Sequence, residues 1–142
     1  MKTSVHFAAS IILAAMLYHL FKWNALLVLF GGVLIDIDHY FWYACKYKKF
    51  SILQSYKFYI KIMNAKDFGK VEGMLCIFHT IEFLALMALL SFYFEAALII
   101  TIGLVLHYLL DLLYLYLNPK RFILNHSIIW WLIENNKFTN FK

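Results

Sequence analysis

Two aspartates and a histidine stand close together in the apolar stretch GGVLIDIDHYFWYAC, which covers residues 31–45. Carboxylates as near to each other as Asp36 and Asp38 repel unless a proton or a cation lies between them. His39 adds an imidazole, which binds divalent metals in its neutral form. Because an isolated charge is expensive in apolar surroundings, the stretch predicts a site that binds metal ions or protons.

Two further pairs of ionisable residues stand in apolar segments later in the chain. His79 and Glu82 are three residues apart, and His107 and Asp111 are four residues apart. On a helix, either spacing places both side chains on one face. Each pair alone fits a hydrogen-bonded structural pair as well as a pair of metal ligands.

The elements that must position these residues are helices in a membrane. The chain has 142 residues, of which 64% are hydrophobic and 15% charged, and its mean hydropathy is +0.73. A soluble domain is far less apolar than this. About 20 apolar residues cross a bilayer as a helix, and the stretches that qualify are residues 5–21, 25–44, 72–93 and 96–117. We therefore expect an all-α fold: one integral membrane domain built as a four-helix bundle.

Two segments outside the predicted spans have the composition of helices that lie in the head-group interface. Residues 45–70 are rich in Lys with interleaved aromatic residues, and residues 119–138 carry a pair of Trp residues. Such amphipathic segments lie along a membrane surface. With four spans, the basic residues collect on the side of both termini, and the other side holds only Lys22. The positive-inside rule then predicts cytoplasmic termini in the inner membrane.

This topology places the ionisable residues of the spans in the cytoplasmic leaflet. The candidate metal ligands are His6, Asp36, His39, His79, Glu82, His107 and Asp111. Asp38 or Glu82, where it is not a ligand, is the candidate general base. Asp38 does not share the helix face of Asp36 and His39, so it requires a loosened helix or a contact with a neighbour. His6 fits an interfacial residue equally well.

Imidazoles and carboxylates without thiolates favour zinc, manganese or iron over calcium and magnesium. We expect one or two divalent ions, with zinc first among them. Cys45 and Cys76 have no CxxC spacing and suggest neither a disulfide nor a thiolate zinc site. His19 is expected on the opposite side of the membrane, and His126 in the tail is expected at the surface.

The order of these motifs resembles a known family. The motifs are an early His6, then Gly32, Leu34 and Asp36-Ile37-Asp38-His39, then His79-Thr80, and last His107-x-x-x-Asp111. Up to about residue 117 the chain resembles the membrane-bound metal-dependent hydrolases of bacteria and archaea, inner-membrane enzymes with a LexA-binding branch. It is similar, more distantly, to zinc-dependent phospholipase C. The resemblance implies metal-dependent hydrolysis.

The chain departs from that family at two places. Ile35 stands where the family usually has a proline before the first aspartate. The family's additional His, in an HRGxTHS stretch, is missing, and Glu82 could replace it as a ligand. The number of metal ions therefore stays open.

The leading hypothesis is hydrolysis of a phosphoester or phosphate on a membrane lipid at the cytoplasmic leaflet. A metal would lower the pKa of a coordinated water molecule, which attacks phosphorus, and nearby Lys would offset the charge. The alternatives are a divalent-cation or proton transporter or channel, and a non-catalytic assembly subunit whose helices a metal holds together. The Lys-rich residues 45–70 predict contact with anionic lipid head groups. No nucleic-acid partner is expected, and a homo-oligomer through a lipid-facing Gly103 or the tail is open.

Overall fold

The computed structural model describes residues 3–65, 74–118 and 127–139, and within these ranges the chain forms helices and turns without a strand. The prediction of an all-α fold is confirmed for this part of the chain. The α-helices within it are α1 (Thr3–Phe21), α2 (Val28–Gly32), α3 (Ile37–Tyr47), α4 (Ile52–Ala65), α5 (Ile81–Leu90), α6 (Glu95–Leu117) and α7 (Ile128–Thr139).

Two helical stretches of the described residues are long and apolar enough to cross a membrane. They are Thr3–Tyr47, which includes short 3-10 turns, and Glu95–Leu117. Of the third predicted span, residues 72–93, the described part 74–93 contains the ten residues of α5 as regular α-helix, whereas about 20 are needed to cross a bilayer. By length and composition, these two helical stretches are consistent with the prediction of a membrane protein. The four-helix bundle and the cytoplasmic termini stay predictions.

The chain folds as two compact units, and each is described by itself. The first unit contains the described residues 3–36 and 82–118, and the second contains 37–65, 74–81 and 127–139. The prediction of a single domain stays a prediction.

In the first unit, α1 and α6 both pack against α2. Where they meet, they surround a small core of Ala14, Val28 and Ile99, all of which are buried. Lys22 follows the last residue of α1 with a φ of 50°, a left-handed conformation that residues other than glycine seldom adopt. The chain can therefore end α1 there and fold back as α2.

The packing of α2 on α6 depends on glycines. A Cβ atom added at Gly31 would overlap the carbonyl oxygen of Ile100, and one added at Gly103 would overlap the carbonyl oxygen of Val28. Small residues allow helices to approach backbone to backbone in this way. Gly103 is therefore buried inside the unit, and the expectation of a lipid-facing Gly103 is wrong.

The predicted second span, residues 25–44, is not one continuous helix. It starts within a 3-10 turn, α2 ends at Gly32, and a further 3-10 turn, Leu34–Asp36, precedes α3. A loosened helix, one of the two options that the sequence left for Asp38, thus occurs just before it. The break gives Asp36 and Asp38 different local backbones, so two carboxylates only two positions apart can have different partners.

In the second unit, α3 packs against α4. The Tyr40 hydroxyl donates a hydrogen bond to the Phe50 carbonyl across the link between the two helices. Ile62 of α4 is buried with Met74 and Cys76, so α4 also covers the start of the segment that leads to α5. Helix α4 lies within the predicted interfacial residues 45–70, and α7 overlaps the predicted residues 119–138; their place in a membrane interface stays a prediction.

We predict that Gly103→Ala lowers the stability of the protein, because the added methyl group must displace the Val28 carbonyl and push α2 away from α6. Overpacking of this kind costs about 1–3 kcal/mol. Thermal unfolding in detergent would measure the effect. Val105→Ala, at an exposed position of the same helix, serves as the control and should change the melting temperature little. Equal melting temperatures for the Gly103 variant and the wild type would contradict the close approach of the two helices.

Candidate metal sites

The first candidate site lies in the first unit and joins α1 to α6. The Nε2 atom of His6 lies 3.2 Å from Oδ1 of Asp111, and the Nε2 atom of His107 lies 3.3 Å from its Oδ2. These residues offer three ligand atoms within 4.8 Å of one another. Asp36 extends the set, since its Oδ1 lies 3.6 Å from Nε2 of His107. We refer to His6, Asp36, His107 and Asp111 as the first site.

A backbone hydrogen bond orients the His107 ring. Its Nδ1 lies 2.9 Å from the carbonyl oxygen of Gly32, which can only accept, so Nδ1 carries the proton. In the neutral ring, Nε2 then presents its lone pair to the carboxylates. A carbonyl partner on the remote nitrogen is the usual arrangement for a metal-binding histidine. A Cβ at Gly32 would overlap the Ser10 hydroxyl, so a larger residue at this position would force the Ser10 side chain to move.

The two imidazoles of the first site are stacked. The ring centroids of His6 and His107 lie 3.9 Å apart and the planes differ by 14°. Two protonated rings in this position would repel each other. Each Nε2 faces a carboxylate oxygen and must therefore carry a proton or share a cation with it. A divalent ion between the rings and the carboxylates would satisfy both without charging either ring.

Burial in the first site is one-sided. The side chains of His6 and His107 are 1% and 0% exposed, whereas those of Asp36 and Asp111 are 25% and 21% exposed. Thr3 lies on the carboxylate side and donates a hydrogen bond of 3.4 Å to Oδ2 of Asp36. The imidazoles thus form a closed wall, and the carboxylates form the accessible side.

Two polar atoms on the buried side have no hydrogen-bond partner among the described residues. They are Nδ1 of His6 and the hydroxyl oxygen of Ser10, four residues later on α1. Buried polar atoms are nearly always paired in native proteins, and exceptions concentrate where an ion, a ligand or a catalytic role explains them. These atoms therefore add to the evidence that this end of α1 belongs to a binding site.

The second candidate site lies in the second unit. Asp38 accepts from Nδ1 of His39 on its Oδ1, at 2.9 Å, and from Nδ1 of His79 on its Oδ2, at 3.0 Å. The backbone N–H of Phe78 donates to the same Oδ2 at 3.1 Å. These bonds attach the segment around residue 78 to the first turn of α3, forty residues earlier in the chain.

Cys76 completes this second set. Its Sγ lies 3.8 Å from Nδ1 of His39 and its side chain is fully buried. Asp38, His39, Cys76 and His79, which we refer to as the second site, offer four ligand atoms within 4.8 Å of one another. The interpretation of the cysteines from sequence missed Cys76. The one available signal was the Cys76-x-x-His79 spacing, since the usual motif pairs cysteine with cysteine. Cys45 is exposed.

Tyr59 of α4 supports the backbone of the second site. Its hydroxyl lies 2.9 Å from the carbonyl oxygen of His39 and 3.4 Å from Sδ of Met74. Burial raises the pKa of the Tyr59 phenol well above its ordinary value, so the hydroxyl keeps its proton and acts as the donor. This bond holds His39 at the start of α3, where its ring meets Asp38.

Most residues predicted as ligands belong to one of these groups. The first unit brings together His6, Asp36, His107 and Asp111, and the second unit brings together Asp38, His39 and His79. Neither group includes Glu82, which is half-buried in the first turn of α5. The predicted single shared site, and the base roles of Asp38 and Glu82, stay predictions.

The expectation that His79 and Glu82 share one helix face is wrong. His79 ends a 3-10 turn, Ile77–His79, and Thr80 is extended before α5 begins at Ile81. The two side chains therefore belong to different elements. His19 is exposed near the end of α1, and the prediction for His126 lies outside the described residues.

We predict that Tyr59→Phe lowers the free energy of unfolding by about 0.5–1.5 kcal/mol, the usual net contribution of one hydrogen bond. The variant removes the donor to the His39 carbonyl and leaves the aromatic ring in place. Tyr56→Phe, at an exposed position of the same helix, is the matched control. Denaturant unfolding in detergent compares the two, and equal losses would show that the Tyr59 hydroxyl contributes nothing specific.

No protein-family model, no curated protein and no solved structure matches the chain.

Proposed function

We propose that the chain is an integral membrane, metal-dependent hydrolase that cleaves a phosphoester or phosphate of a lipid, with the first site as its catalytic centre. The observation that carries the proposal is the donor set: two imidazole nitrogens and one carboxylate, converging from α1 and α6 with one accessible side. Catalytic zinc sites take three protein ligands of this kind and keep a position for water or substrate.

The position of the first site along the helices supports a lipid substrate. Thr3 and His6 stand in the first two turns of α1, and Asp111 stands six residues before the last residue of α6. At 1.5 Å per residue, Asp111 lies about 9 Å from the end of its helix. In a hydrocarbon core about 30 Å thick, that depth is close to one surface, where the phosphate of a lipid can be reached.

The residues of the site divide the work in this proposal. His6, His107 and Asp111 would hold a divalent ion, zinc first among the candidates, with manganese and iron next. When bound, such an ion supplies Lewis-acid chemistry and lowers the pKa of a water molecule, so that hydroxide is available as the nucleophile near neutral pH. The Gly32 carbonyl keeps the proton of His107 on Nδ1, so that Nε2 stays available as a ligand.

Asp36 is the best-placed general base of the first site. It lies beside His107 Nε2 and on the accessible side, and the Thr3 hydroxyl binds its second oxygen. A carboxylate held in this way can accept the proton of an attacking water molecule, which contributes about 10²–10⁴-fold to the rate. Asp38 and Glu82 keep the same role as alternative proposals.

The test combines metal analysis with hydrolysis by the detergent-purified full chain, using phospholipids and polyprenyl phosphates as substrates. Asp111→Asn keeps the shape of the side chain but removes its charge, so we expect it to lose the ion of the first site. Its activity should fall by at least about 100-fold, because even the outer partners of ligands are worth 10–100-fold. His19→Asn, exposed on the same helix as His6, should keep both metal and activity.

Asp36→Asn separates binding from chemistry. We expect the metal content to stay at the wild-type level while turnover falls by about 10²–10⁴-fold, as for the loss of a general base. Loss of the ion in this variant would make Asp36 a ligand and refute the base assignment. If metal-loaded wild type leaves every lipid phosphate intact, the hydrolase proposal fails. Metal uptake into liposomes that Asp111→Asn abolishes would then support a transporter.

A further inference from the structure

We propose that the second site binds a structural zinc ion, which ties the segment of Cys76 and His79 to the first turn of α3. This proposal does not depend on the chemistry of the first site. It concerns a different set of ligands, which includes a sulfur atom and belongs to the other unit.

The spacing of the donor atoms fits a metal of this size. Asp38 oxygens lie 2.9 and 3.0 Å from Nδ1 of His39 and of His79, and Cys76 Sγ lies 3.8 Å from the His39 nitrogen. Ligands of a tetrahedral zinc ion, bound at about 2.0–2.3 Å, stand about 3.3–3.6 Å from one another. Small side-chain movements would bring all four atoms to such separations, and each imidazole would then bind the ion through a deprotonated Nδ1 and carry its proton on Nε2.

The local backbone accounts for the convergence of these ligands. Cys76 immediately precedes the 3-10 turn Ile77–His79 and stands three residues before its last member. Because a 3-10 helix has three residues per turn, Cys76 and His79 lie one above the other on the same side. Asp38 and His39 lie in the first turn of α3.

The chemistry of the donor set favours zinc. A thiolate is a soft ligand that selects zinc over magnesium, calcium and manganese. A thiolate and a carboxylate together carry two negative charges, which one divalent ion neutralises. Burying such charges without a cation is costly, and Cys76, His79 and Asp38 are only 0%, 2% and 7% exposed.

The number of ligands assigns a structural role, and three of the four are buried while the His39 side chain is 23% exposed. Four protein ligands fill the coordination shell of zinc, as in closed structural sites, whereas a catalytic site keeps one position open. Tyr59 and the Phe78 N–H already position His39 and Asp38 from outside the set. Cys76 is buried beside Met74 and Ile62 in a small apolar cluster. Bound metal would therefore add directly to the folding free energy of this segment.

Cobalt in place of zinc tests the sulfur ligand without any activity assay. The full chain, purified in detergent and loaded with Co²⁺, should show the near-ultraviolet charge-transfer band of a cobalt–thiolate bond. Cys76→Ser should lose that band and the zinc ion of the second site, because the sulfur ligand is removed. Cys45→Ser, which changes the exposed cysteine, is the matched control and should keep both.

Two further variants keep the outcome clear. Cys76→His replaces sulfur with a nitrogen ligand, so we expect zinc binding to be kept and the charge-transfer band to be lost, even if Cys76→Ser does not fold. Asp111→Asn should keep the band in full, because its change lies in the first site. Absence of the band from folded, cobalt-loaded wild type, or its persistence in Cys76→His, would overturn the proposal. Failure of lipid hydrolysis alone would leave it standing.

Discussion

The backbone approach of α2 to α6 is the constraint on which the first unit depends. Glycines at positions 31 and 103 allow the two helices to touch through their main chains, and the same approach brings the Gly32 carbonyl to the ring of His107. The orientation of the His107 ring therefore depends on the close packing of α2 and α6, because the Gly32 carbonyl reaches Nδ1 of His107 only at this helix separation. A larger side chain at either glycine would push the two helices apart and so weaken this hydrogen bond.

Buried charge explains why the ionisable side chains occur in groups. Burying a carboxylate without a partner in apolar surroundings costs free energy. In both sites, imidazoles, a hydroxyl group or a backbone N–H therefore lie next to the carboxylates. The break after Gly32 allows Asp36 and Asp38 to serve different groups although one residue separates them. The two groups then differ in kind. One has nitrogen and oxygen donors with an accessible side, and the other has four candidate ligands, one of which is a buried sulfur.

Much of this could be predicted from the sequence. Hydropathy over whole segments predicts that the described part of the chain is helical and apolar, and α1 and α6 end where composition changes, at Phe21 and Leu117. The identity of the candidate ligands was also predictable, since charged or imidazole side chains in apolar segments require partners. The His107 and Asp111 pair was predictable in geometry as well, because both residues lie within one regular helix.

Tertiary structure decided which of these residues meet. Sequence periodicity assumes an unbroken helix, and it failed for His79 and Glu82 because an extended residue at Thr80 separates their elements. It could not assign Cys76 either, since the sulfur reaches His39 only after the chain between them has folded back. Composition and local spacing therefore determined the helical class of this protein and its imidazole and carboxylate candidate ligands, but not the candidate sulfur ligand. The grouping of ligands depends on interactions between segments up to about a hundred residues apart, such as His6 and Asp111, which local spacing does not encode.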